Sequence, residues 1–88
     1  MKSARVLTME RAVVPRSDRE RYVERLRARR DYYRGAGCNY WVFEEADLPG
    51  AFVEFTEAGD AKVLAAALEA APDPVRDSRR VYREVELT

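Results

Sequence analysis

The chain contains no histidine. That removes the commonest general base near neutral pH, and with it histidine-ligated haem and Cys/His zinc sites. Its one cysteine, Cys38, cannot form an internal disulfide and is read as a small apolar residue of a strand. No run approaches the roughly 18 apolar residues of a membrane-spanning helix. The segment from Met1 to Val14 is broken by charges, unlike a secretory signal. Net charge is also missing, since 16 basic residues face 16 acidic ones, which argues against a general nucleic-acid binder. The expectation is a soluble cytoplasmic protein with no metal, no cofactor, no nucleic-acid partner and no membrane partner. At 88 residues there is room for one core, so residues 1–88 are read as a single domain. So short a chain often completes its burial by oligomerising.

What is present is unevenly placed. Arg16 to Arg34 holds eight Arg against four acids, whereas Glu44 to Asp60 holds six acids and no base. Asp18, Glu20, Glu24 and Asp31 lie among the Arg at helical pairing distances, so a salt-bridged solvent face is the ordinary reading of that run. Arg30 falls inside the apolar stripe formed by Val23, Leu26 and Tyr33, and needs an acidic partner if buried. The stretch GCNYWVFEEADLPGAFVEFTEAG, from Gly37 to Gly59, gathers a Trp, a Tyr and three Phe.

Alternation predicts a first strand from Arg5 to Val14, ended by Pro15. Ser17-Asp18-Arg19-Glu20 has capping-box spacing for a helix running to about Arg34, which Gly35 and Gly37 can stop. Cys38 to Ala46 and Ala51 to Thr56 read as strands, joined by a turn with Pro49 and Gly50 at its second and third positions. Asp60 caps a second helix, Ala61 to Ala71, with Val63, Leu64, Ala67 and Leu68 inward and with Pro72 and Pro74 closing the segment. A last strand carries Val81, Val85 and Leu87 in alternation with Tyr82, Glu84 and Glu86. The order β-α-β-β-α-β with right-handed crossovers predicts an α+β, ferredoxin-like domain: a four-stranded antiparallel sheet with both helices on one face.

The helix-covered face is expected to hold Leu7, Met9, Val13, Ala51, Val53, Phe55, Val81, Val85 and Leu87, with Arg11 and Arg83 interrupting those rows. The other face is expected to expose Val6, Thr8, Glu10, Phe52, Glu54, Thr56, Tyr82 and Glu84. The second strand offers two sets, Cys38/Tyr40/Val42 and Asn39/Trp41/Phe43, between which parity does not choose. Trp41 and Phe43 under the helices with Tyr40 outside is the arrangement expected, and Trp41→Ala should then cost about 3–5 kcal/mol. An open face bearing Phe52, Tyr82 and a strand-two aromatic should not stay in water. A second copy related by a two-fold axis is the expected cover.

Gly37, Cys38, Trp41, Pro49, Gly50, Phe52 and Leu64 together resemble the dimeric α/β-barrel superfamily, with domains like the antibiotic-biosynthesis monooxygenases as the nearest likeness. The resemblance spans about 30 residues directly and the whole chain by element order. It implies a homodimer whose sheets form a barrel, with a pocket between each sheet and its own helices. In some members that pocket oxidises aromatic polyketides without a cofactor, using Asn, Trp, Tyr or Arg side chains; others degrade haem or bind small ligands. Where the family commonly has Glu and Trp after the Phe strand, this chain has Thr56 and Ala58, and the His often found in the next helix is missing. Both departures weigh against the oxygenase.

Glu10, Glu54 and Glu84 share a parity on three strands, so they are candidates for proton transfer or for holding a hard cation, against the plainer reading that Arg side chains pair with them across the dimer. Tyr40 joins them as a candidate catalytic group. Asn39, Trp41, Phe52 and Tyr82 are candidate ligand contacts, since an amide can stabilise an oxyanion and aromatic rings stack on planar ligands. Tyr32 and Tyr33 are read as packing the end of the first helix onto the sheet. Three functions follow: a small dimeric protein binding an apolar or aromatic molecule, an oxygenase or isomerase of the same fold, and a domain serving only protein association. A cavity with polar groups beneath the helices would favour the first two, and a filled core the third.

Overall fold

The structure, a computed structural model, describes residues 4–73 and 80–87. Along the chain run β1 (Val6–Val13), a 3-10 turn (Arg16–Asp18), α1 (Arg19–Gly35), β2 (Asn39–Glu44), β3 (Ala51–Ala58), α2 (Ala61–Glu69) and β4 (Tyr82–Arg83). The sheet order is β2-β3-β1-β4 with every neighbouring pair antiparallel, which is the ferredoxin-like α+β fold. No helix among the described residues is long and apolar enough to cross a membrane.

Local chemistry explains most boundaries. α1 ends in a Schellman closure: Cys38 N–H donates to the Tyr33 carbonyl at 2.9 Å and Gly37 N–H to that of Arg34 at 3.2 Å. Gly37 supplies the positive φ of 84° that this closure needs. Asp60 caps α2, its carboxylate accepting from Lys62 N–H at 2.6 Å. α2 stops at Glu69, before the expected Ala71; Pro72 lies past its end, and Pro74 falls outside the described residues. Pro49 and Gly50 occupy the central positions of a turn closed by Ala51 N–H on the Leu48 carbonyl at 3.1 Å, with Gly50 at φ 95°.

Other expectations need correction. The capping box does not form, because Ser17 lies within the 3-10 turn that feeds directly into α1 rather than at an extended cap position. The Asp18 carboxylate takes Arg21 at 3.1 Å instead of a helix amide. β4 is two residues long because its antiparallel register pairs Tyr82 with Leu7 and Arg83 with Val6. One more bond follows, Glu84 N–H to the Arg5 carbonyl at 2.8 Å, and β1 has then run out. Val81, Val85 and Leu87 are therefore exposed, not covered by helices.

The largest correction concerns the faces. Cross-strand partners share a face, so the register defines rows. Tyr40–Thr56–Thr8, Val42–Glu54–Glu10 and Glu44–Phe52–Ala12 lie beneath the helices, and Val6, Thr8, Tyr40, Phe52, Glu54, Thr56 and Ala58 are all buried. The outer face carries the rows Trp41–Phe55–Met9 and Phe43–Val53–Arg11, with Leu7 and Tyr82 beside them. The expected assignment of β1 and β3 is thus reversed, and so is that of β2. Tyr40 is inside and Trp41 and Phe43 outside, at 41% and 57% exposure. Trp41 therefore contributes far less to the single chain's core than the expected 3–5 kcal/mol implied.

The core joins both helices to the inner rows: Tyr33, Leu64 and Ala67 from the helices pack with Val6, Cys38, Tyr40 and Ala58. Tyr33 stacks on Tyr40 at 5.8 Å and meets Tyr32 edge-on at 5.0 Å. The Tyr32 hydroxyl donates to the Ala67 carbonyl at 2.7 Å, tying α1 to α2. Both tyrosines pack as expected of them.

Candidate functional site

The inner face holds a polar cluster. Glu10 and Glu54 stand directly opposite each other on β1 and β3, both turned towards the helices. Two carboxylates so placed repel unless a cation lies between them. α1 supplies it from Arg29, one turn from Leu26 and one from Tyr33, the two other buried residues of that helix. Arg29 Nη1 donates to both oxygens of Glu54 at 2.8 Å and lies 3.4 Å from Glu10 Oε2. Its Nε and Nη2 reach Asp73, just past α2, at 3.1 and 3.2 Å. Arg30, the arginine expected inside the stripe, instead meets Asp31 at 3.0 Å near the surface.

Glu54 also accepts from the Tyr40 hydroxyl at 2.5 Å and the Tyr22 hydroxyl at 3.2 Å. Burial, together with the Glu54 charge, pushes both phenols well above the usual tyrosine range, so both stay protonated donors. Burial opposes the charge on Arg29, but the hydrogen bonds to Asp73 and Glu54 outweigh it and hold the guanidinium more firmly protonated than usual. Asp73 sits below the ordinary carboxyl value although burial acts the other way, because Arg29 and Arg25 both donate to it. The Tyr33 hydroxyl is the exception: it has no hydrogen-bond partner among the described residues, and burial pushes it up to about 12.

At the hairpin end, Arg19 grips Glu44 through both oxygens at 2.6 and 2.9 Å and lies over the Phe52 ring at 5.2 Å. Gly50 N–H adds a third bond to Glu44 at 2.8 Å. The Arg19 bonds, then the Gly50 amide, lower the Glu44 carboxyl from 4.5 to about 2. A carboxyl depressed on folding stabilises fully above its ordinary value and loses that contribution as the pH falls through the folded value. An NMR titration should therefore place the Glu44 midpoint near 2, and Arg19→Met should return it most of the way to 4.5. A midpoint unmoved by that substitution would show that Arg19 is not the cause.

The remaining candidates lie across the sheet. Asn39 Nδ2 donates to Glu57 Oε1 at 2.9 Å, Glu57 is bonded by Arg5, and Glu84 stands 3.9 Å from Arg5. Tyr82 lines the same corner. Burial works against the Glu57 charge, but Asn39 and Arg5 hold its carboxyl below the ordinary value. Cys38 is buried, and burial with the nearby Glu57 charge pushes its thiol up, away from the nucleophilic form. Glu10, Glu54, Tyr40 and Phe52 thus share the inner side, Asn39, Tyr82 and Glu84 share an outer corner, and Trp41 lies in the next row of that outer face. The three glutamates do not form one site, since the sheet separates Glu84 from the other two.

Between α1 and the edge strand β2 runs an open groove of about 510 Å³. Its floor is aromatic, with Tyr40, Trp41, Phe43 and Phe52, and Arg27, Arg30 and Arg34 stand along the α1 side. Reasoning from the sequence missed Arg29, Tyr22, Asp73 and Glu57. The usable signal for Arg29 was its place between Leu26 and Tyr33 together with two facing carboxylates on one strand parity. In comparison with known proteins, the chain matches no protein-family model and no curated protein.

Proposed function

We propose that the chain works as a homodimeric binding protein, its two sheets closed outer face to outer face, and that the α1–β2 groove takes a small aromatic or apolar molecule. One observation carries this reading: the more apolar face of the sheet is the uncovered one. Leu7, Met9, Trp41, Phe43, Val53, Phe55 and Tyr82 lie outside, while the helices cover Glu10, Glu54 and two threonines. A contiguous patch of that kind marks an association surface. Strands about 4.8 Å apart and up to eight residues long give a face of roughly 15 by 25 Å, which side-chain relief enlarges towards the ~800 Å² per partner of a stable interface.

Arg11, exposed on that face, makes no ion pair among the described residues and would meet a partner's carboxylate. The resemblance to dimeric α/β-barrel domains of the antibiotic-biosynthesis-monooxygenase kind supports the same assembly. Because β2 is the sheet's edge, the groove would open at the seam between copies.

The oxygenase or isomerase alternative asks for a carboxylate or phenol free to exchange a proton. Glu54 is occupied by Arg29, Tyr40 and Tyr22, and those phenols are held protonated, so the cluster reads as a frame. Beneath the helices lie a packed core and the ionic cluster, the arrangement expected of a domain serving only association; the open groove at the sheet edge is what favours a ligand instead.

Sedimentation equilibrium tests the assembly. The chain should be dimeric at micromolar concentration, and Val53→Glu should give a monomer with an unchanged far-UV spectrum. Val53 faces Arg11 in the register, so in one chain the new charge lies beside a cation, while closing the two outer faces would bury it away from water. A wild-type monomer, or a dimer that survives Val53→Glu, would overturn the proposal.

A further inference from the structure

We infer that the α1–β2 groove selects flat aromatic molecules carrying an anionic group, a bicyclic aromatic carboxylate being the simplest of the class. This deepens the binding role proposed above and rests on it. Residues 27, 30 and 34 are three and four apart, so their guanidinium groups line one side of α1 facing the edge strand. Arg27 bonds Glu24 at 2.8 Å and Arg30 bonds Asp31 at 3.0 Å, both solvent-exposed pairs that cost little to exchange. Arg34 makes no side-chain ion pair or hydrogen bond among the described residues, although it lines the groove. Opposite this row are the exposed Trp41 and Phe43 rings, with Leu26 and Tyr40 at the base.

The chemistry is two-sided. An aromatic ring system packs at the β2 edge against Trp41 and Phe43, and its anionic group reaches the guanidinium row, where a carboxylate can accept two parallel N–H bonds from one Arg. The volume of about 510 Å³ is of the size that holds small organic ligands rather than a folded partner. No acid lines the groove among the described residues, whereas the groove at the hairpin end carries Glu44 and Glu45.

The test is an NMR titration of the full chain with naphthalene-2-carboxylate, its neutral carboxamide and acetate. The carboxylate should bind about tenfold more tightly than the carboxamide at low salt, and both should shift the Trp41 indole and the amides of residues 40–43. Arg34→Gln, at an exposed helix position, should remove most of that difference while leaving carboxamide binding unchanged. Equal binding of carboxylate and carboxamide at the same shifted residues would overturn the anion selectivity and leave the aromatic site standing. Binding of acetate as tight as that of the naphthalene acid would overturn the selectivity by reducing it to bare charge attraction. Failure of both naphthalene compounds to bind would overturn the groove as a ligand site, and this inference with it.

Discussion

Arg29→Met should destabilise the fold by about 3–5 kcal/mol, the scale for removing one partner of a buried ion pair. Arg29 is 7% exposed and Glu54 2%, so the carboxylate left behind has little water to turn to. Among the described residues only the Tyr22 and Tyr40 hydroxyls would still donate to it, and Glu10 would face it directly with no guanidinium between. Against the roughly 5–15 kcal/mol that holds a domain folded, this is a loss that leaves the variant near unfolding at ambient temperature.

The pair as a whole need not be a net stabiliser, because desolvating two charges offsets much of their attraction. The double variant Arg29→Met with Glu54→Gln separates the two effects, since the amide oxygen still accepts from Tyr40. It should recover at least about 1–2 kcal/mol of the single loss. Urea melts of the three proteins decide the matter. A loss under about 1 kcal/mol for Arg29→Met would mean that the cluster is hydrated and not a frame.

The element order was legible because each device that makes it is local. Proline and glycine at the hairpin, aspartate before α2 and alternation in the strands all act within a few residues. The side of the sheet was not legible, because alternation supplies a period of two and no direction. The odd row of β1 and β3, with Leu7, Met9, Val53 and Phe55, looks like a core, and the even row, with Thr8, Glu10, Glu54 and Thr56, looks like a surface. The helices decided otherwise. α1 brings the Arg29 guanidinium and the Tyr22 phenol that bond Glu54, so it covers the polar row and leaves the apolar one uncovered.

The choice between Arg29 and Arg30 turned on the same point. Neighbouring helical positions differ by about 100° around the axis, and only the facing carboxylates of Glu10 and Glu54 say which arginine points inward. The groove was half legible. Its aromatics stood out in the stretch from Gly37 to Gly59, but the arginine row reads as a solvated helix face until α1 lies beside β2.

Gly50→Ala should destabilise the fold by about 2–4 kcal/mol. Gly50 has φ 95°, a conformation that costs an ordinary residue about 1–2 kcal/mol. Space is lacking as well: a Cβ there would lie 2.7 Å from the Val14 carbonyl oxygen, a backbone atom that cannot rotate aside. That contact is held from the other side by Val14 N–H on the Gly50 carbonyl at 2.8 Å, so β1 and the hairpin must separate together. The displacement would also loosen the Gly50 amide from Glu44, and the Glu44 midpoint should rise from about 2 while Arg19 still holds it below 4.5. Gly59→Ala is the control, since nothing lies within 4 Å of its added methyl and its φ is not positive. Denaturant melts should show the large loss for Gly50→Ala and less than about 1 kcal/mol for Gly59→Ala. Equal small losses at the two sites would mean that the hairpin yields without strain, and that Glu44 is fixed by Arg19 alone.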